Sequence, residues 1–244
     1  VELTKRWRAT YPDVNPDGTR IVFVRNDAGS SNLWIAELDT ANLDSSRVHA
    51  LTHWTDGTQV FSPRWSPDGS RIALSIARSG QRDVVIMNVP ADEGEPIIER
   101  TFASSGSDRD PTWSSDGSRL VFTSAHDGVF NLYEADLQAN TVQQLTNLAG
   151  GSFAPDIAPD GRIAYSSYEK DGFVIRMLPS DHPRTMVDAT IFAHDVQPAG
   201  TFAREMTRSV EPINRTVPHF MPPAIMPRIG FYDGDFRIGA YGMT

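Results

Sequence analysis

The 244-residue chain contains no cysteine. Disulfide frameworks and cysteine metal sites are therefore excluded, and the compartment is left open. It has no run of 18 apolar residues, so no transmembrane helix is expected. It carries 22 Lys and Arg against 31 Asp and Glu, a net charge of −9, with no basic cluster. Nucleic-acid binding lacks its electrostatic footprint. There is no G-x-S-x-G nucleophile elbow, no phosphate loop and no H-E-x-x-H. No signal peptide is visible. What the chain does have is turn residues, 18 Gly and 17 Pro, as β-rich architecture requires.

The segment SPRWSPDGSRIALS (62–75) shows what those residues do. Pro67 fixes φ for the first central position of a type I turn, and Asp68 suits the second. Gly69 takes the left-handed conformation that follows. Ser66 can hydrogen-bond back to the backbone. Such a turn joins two antiparallel strands, over 62–66 and 71–76. The second is apolar on both faces, as in a sheet packed between other sheets.

Nearly the same string recurs as PDVNPDGTRIVF (12–23), PRWSPDGSRIAL (63–74), PTWSSDGSRLVF (111–122) and PDIAPDGRIAY (155–165). The turn aspartates Asp17, Asp68, Asp116 and Asp160 are thus 51, 48 and 44 residues apart. They read as structural. Each unit continues with a polar turn, a third strand and a fourth strand, the last being VHALT (48–52), IIERT (97–101), VQQLT (142–146) and MVDAT (186–190). A period of this length with four strands per unit predicts an all-β propeller. The expected blades lie near 12–52, 63–101, 111–146 and 155–190.

The opening VELT reads as the outer strand of a blade whose other strands are missing, or as a strand that closes the ring. DVQPAGT (195–201) reads as the degenerate start of a fifth blade. A propeller domain over 1–201 is followed by a Pro-rich tail over 202–244. The whole is expected to be a piece of a longer chain. In the tail, Asp233-Gly234 could turn a hairpin or be a flexible point in one longer strand.

Candidate sites are few. His49 and His53 are four apart but not on a helix. His126-Asp127-Gly128 reads as a turn rather than a catalytic pair. Asp108 and Asp110 flank Arg109, and Asp233 and Asp235 flank Gly234, without a calcium-loop pattern. Neither a metal nor a cofactor is expected. Trp65 and Trp113 share one place on the innermost strand with Val14 and Ile157, and packing between blades explains them. The preceding residues, Asp13, Arg64, Thr112 and Asp156, face the other way by strand alternation. They are the candidate lining of a central channel, where a ligand would be felt.

The unit PRWSPDGSRIAL closed by Leu-Thr resembles the TolB-type propeller repeat over residues 1–201. Ser115, the deletion before Arg162 and Ala199 depart from it. The tail, with prolines 212, 218, 222, 223 and 227 before RIGFYDGDFRIGAYGMT, resembles the junction to a bacterial outer-membrane β-barrel. The alternative for the tail is an extra strand packed on the propeller. The resemblance implies a non-catalytic interaction module of the cell envelope, periplasmic and in possible association with the outer membrane. Its partner would be another envelope protein or its own barrel. A second class is the accessory propeller of a prolyl-oligopeptidase-like serine peptidase. A third is a lyase using histidines and a divalent metal.

Overall fold

In the computed structural model, residues 4, 8–27, 29–38, 47–90, 94–193, 226–232 and 235–241 are described. The chain divides into two compact units, Val1–Phe202 and Ala203–Thr244.

Unit 1 is built of four antiparallel sheets. The first contains β1 (Ala9–Val14), β2 (Arg20–Asp27), β3 (Ser30–Glu37) and β4 (Arg47–Ala50) in that order. The second contains β5 (Gln59–Trp65), β6 (Arg71–Arg78), β7 (Gln81–Asn88) and β8 (Ile98–Phe102). The third contains β9 (Asp108–Trp113), β10 (Arg119–Ser124), β11 (Asn131–Asp136) and β12 (Thr141–Gln144). Among the described residues the fourth has three strands, β13 (Ser152–Ile157), β14 (Ile163–Glu169) and β15 (Gly172–Leu178).

The first hairpin of each blade is set by the predicted turn. In the second blade Ser66 N donates to Arg71 O and Gly69 N donates to Ser66 O, both at 2.9 Å, with Gly69 at φ 69°. Ser66 Oγ accepts from Arg71 N and donates to Asp68 Oδ1. These bonds satisfy turn groups that the ladder cannot reach.

Each innermost strand also carries a bulge that the repeat did not announce. Tyr11, Ser62, Asp110 and Ala154 have φ of 54°, 48°, 56° and 48°, and each precedes a proline. The ladder register shifts at the same four places. A bulge is where a strand tolerates proline, because the missing N–H is not needed there.

Three buried layers hold the blades face to face. Between the first and second lie Val22, Leu33, Trp65, Ile72 and Leu74 among others. Between the second and third lie Val84, Phe102, Trp113, Phe122 and Tyr133. Val121, Leu132, Ile163, Tyr165 and Leu178 fill the third.

One strand is not where the repeat places it. The segment MVDAT was expected to be the outer strand of the fourth blade. Instead β16 (Thr185–Val187) pairs antiparallel with β12, so it is a fifth strand of the third sheet. A short 3-10 helix (Ala189–Phe192) follows, and Phe192 is buried against Phe122, Tyr133 and His126. The buried aromatic ring explains the detour, since it fills the layer between the second and third blades.

In the second unit β17 (Met226–Tyr232) and β18 (Asp235–Tyr241) form a two-stranded antiparallel sheet, with Tyr232 opposite Asp235 and Ile229 opposite Ile238. The tail is therefore a hairpin rather than one longer strand. Asp233-Gly234, the segment DVQPAGT, the Pro-rich stretch 202–225 and most of VELT lie outside the described residues.

Candidate functional site

The candidate channel residues are the penultimate residues of the four innermost strands. Asp13, Arg64, Thr112 and Asp156 all border one opening of about 290 Å³, together with Trp65, Trp113 and Ile157. They do not border it in the same way. Asp13 Oδ2 accepts from Trp65 N at 2.8 Å, and Asp13 Oδ1 pairs with Arg64 Nη1 at 3.3 Å. Those bonds tie the first blade to the second. Thr112 is buried, whereas Arg64 and Asp156 are exposed.

Trp65 and Trp113 are buried between blades. The arginine after the preceding blade's turn covers each ring, Arg20 at 4.8 Å from Trp65 and Arg71 at 4.9 Å from Trp113. Trp113 Nε1 also donates to Arg64 O at 3.0 Å. Where Ile157 replaces tryptophan, Arg119 turns to Glu134 at 3.2 Å, which Arg184 also meets at 2.8 Å.

The turn aspartates are held ionised by their own turns. The Ser66 hydroxyl and the Ser70 amide bring Asp68 down to about 2. Ser114 and Ser118 hold Asp116 well below the usual carboxylate range. Thr19 does the same for Asp17, and the Arg162 amide for Asp160.

The remaining candidates separate. Gly128 N donates to Ala125 O, so His126-Asp127-Gly128 is a turn, and His126 Nε2 meets Tyr133 Oη at 2.8 Å. Burial pushes the Tyr133 hydroxyl above its ordinary range. His49 and His53 border a cavity of about 870 Å³ beside Arg20, Glu37 and Arg47. Among the described residues no group of three His, Asp or Glu side chains could hold a metal ion.

Asp108 and Asp110 do not converge. Asp108 is fully buried and accepts from Ser104 N at 2.7 Å and Ser104 Oγ at 3.0 Å. Burial pushes its carboxyl up to about 6. Asp110 stands between Arg82 and Arg109, 3.7 Å from each. Sequence reasoning passed over Arg82 altogether, although Arg109-Asp110-Pro111 marked the spot.

The sequence profile described as the TolB beta propeller domain matches residues 5–200. A protein named TolB homolog from Chlorobium chlorochromatii is 29% identical over 145 residues, which are 59% of this chain and 30% of that protein. A protein named uncharacterized peptidase YuxL from Bacillus subtilis is 30% identical over 112 residues, 43% of this chain and 16% of its own length. The chain thus spans less than a third of either relative. The crystal structure of TolB from Acinetobacter baumannii superposes with a TM-score of 0.60 at 16% identity, over 75% of this chain and 44% of that one. A puromycin-hydrolyzing peptidase of Mycobacterium tuberculosis superposes at 0.54, with 11% identity, over 74% of this chain and 29% of its own. Four repeated blades, their shared turn and the match across 5–200 together make this chain a member of the TolB β-propeller family.

Proposed function

We propose that the chain is a non-catalytic protein-interaction module of the bacterial cell envelope that docks another protein at the opening bordered by Asp13, Arg64, Thr112 and Asp156. The observation that carries this reading is the convergence of one residue from each of four innermost strands on a single opening. Asp13 and Arg64 are fixed by each other and by the backbone of the next blade, so the rim is preorganised. Exposed Asp156 and Arg64 offer both charges there, as the polar rim of a protein interface does. The periplasmic location rests on membership of the TolB β-propeller family. The partner would be another envelope protein, or an outer-membrane barrel of which the tail hairpin would be part.

A photo-crosslinking residue at Asp156, introduced in the cells that make the protein, tests this. One envelope protein should be captured there and not from exposed Glu99. Equal capture at both positions, or none at Asp156, would overturn it. Fractionation of the same cells tests the location, with the protein expected in the periplasm or the outer membrane.

A second reading is favoured by the 30% identity to a protein named as a peptidase. In it the propeller is the accessory domain of a serine peptidase. It requires a Gly-x-Ser-x-Gly segment elsewhere in the full-length polypeptide, together with hydrolysis of peptide substrates.

A further inference from the structure

Earlier along the innermost strands than the Asp13 and Asp156 opening, a second set of side chains crosses all four blades. It begins at Tyr11, whose ring lies 6.3 Å edge-on from Phe61. Arg82 covers Phe61 at 4.2 Å and reaches Asp110 at 3.7 Å. Arg109 meets the same carboxylate at 3.7 Å and lies over Phe130 at 3.9 Å and Phe153 at 5.2 Å. Phe153 then meets Phe173 at 5.8 Å, and Phe173 meets Tyr168 at 5.1 Å. Tyr11, Tyr168 and Phe173 are exposed, and the intervening rings are half-buried.

The charges in this belt do not balance. Two guanidiniums share one carboxylate in a chain whose net charge is −9. At 3.7 Å neither contact is a hydrogen bond. Among the described residues neither guanidinium is hydrogen-bonded, and both Nε atoms are buried without a partner. Each guanidinium thus keeps one N–H donor buried without a partner, which is costly. Burial also works against the charge on Arg82. The aromatic faces hold both guanidinium planes in place, which leaves their edges to meet a second carboxylate in a forked geometry. Tyr, Phe and Arg are also enriched at protein interfaces, and Tyr and Arg dominate their energetic centres.

We propose that this belt is a docking surface for an extended protein segment that presents an Asp or Glu carboxylate to Arg82 and Arg109, with apolar side chains on either side of it meeting Tyr11 and Phe61 at one end and Phe153, Phe173 and Tyr168 at the other. The proposal rests on the interaction-module reading and adds the chemistry of the partner at a place distinct from the Asp156 opening. The carboxylate supplies the missing negative charge. The flanking apolar groups cover rings that unit 1 leaves open.

The test is selection of phage-displayed random dodecapeptides on the 244-residue chain, counter-selected on the Arg82→Gln/Arg109→Gln double variant. Peptides that bind only the parent should carry Asp or Glu flanked by apolar residues. Replacing that acid by its amide should weaken binding about tenfold or more. Phe173→Ala, at an exposed position that does not threaten folding, should weaken the same peptides severalfold, and Asp156→Arg should leave them unchanged. If counter-selection leaves no peptide, while selection without it yields binders that Asp156→Arg abolishes, the belt is overturned and the interaction-module reading stands. Discriminating peptides without a carboxylate would overturn it too. Should the double variant melt early, Arg109→Lys gives the same readout, because it keeps the charge and loses the planar fork.

Discussion

The third and fourth blades are built from the same repeat and end in different conditions. Position by position, the register matches Leu33, Val84, Leu132 and Ile175, each opposite the fourth residue after the arginine that follows the turn, namely Val24, Ser75, Thr123 and Ser166. The first three are 0% exposed and Ile175 is 76% exposed. The third blade is covered by Ile163, Tyr165 and Leu178 of the fourth. The fourth shows Phe173, Ile175 and Met177 on its far face, and β15 is its last strand among the described residues. A blade of this kind is thus not stable through its own sheet alone. Most of its apolar surface is buried by its neighbours, so stability is a nearest-neighbour property, as in other repeat proteins.

The sharpest test of that contrast is the pair Leu132→Ala and Ile175→Ala. The first should cost about 3 kcal/mol, as a large-to-small change in a packed layer, and the second under about 0.5 kcal/mol. Urea unfolding of both variants checks it, and equal costs would break the comparison.

A second contrast is electrostatic. Asp108 of the third blade corresponds to Ser152 of the fourth, and both are fully buried. The folded Asp108 carboxyl has its pKa near 6, against an ordinary 3.8. The folded protein therefore binds the proton more tightly than the unfolded chain between those values. Its stability from this group is greatest below about pH 4 and falls as pH rises through 6. Asp108→Asn removes that titration. Relative to the parent, the variant should gain about 3 kcal/mol in unfolding free energy between pH 4 and pH 7, at 1.36 kcal/mol per unit. A constant difference across that range would sink the assignment.

Next in size is Trp113→Ile, which gives the third blade the residue found at Ile157. It removes the stack with Arg71 and the bond to Arg64 O, and should cost about 2 kcal/mol in the same assay. The smallest effect is in native-state hydrogen exchange. Amides of β15, bordered among the described residues by β14 alone, should exchange about tenfold faster than those of β11, which lies between β10 and β12.

The fold was legible because its repeat is written in turn chemistry. Pro, Asp and Gly at fixed offsets specify a backbone conformation whatever surrounds them, and Gly18 and Gly69 adopt it at φ 73° and 69°. Strand alternation did not separate Asp13, Arg64, Thr112 and Asp156 from their neighbours, since Val14, Trp65, Trp113 and Ile157 border the same opening. The strand at Thr185–Val187 was not legible. Its place depends on where Phe192 finds a buried layer, which is a tertiary matter. Arg82 was missed for a similar reason. Its partner Asp110 is 28 positions away and on the next blade, and the φ of 56° that places Asp110 leaves no mark beyond the proline that follows.

The detour of the chain after β15 also sets how tension would travel. The backbone leaves the fourth blade, pairs with the outer edge of the third and buries Phe192 beside Phe122, and Ala193 then bridges to Ala103 of the second blade's end. A pull on the chain beyond residue 193 would thus load the seam of the second and third blades first. The fourth blade would be shielded behind β16 until that strand sheared from β12.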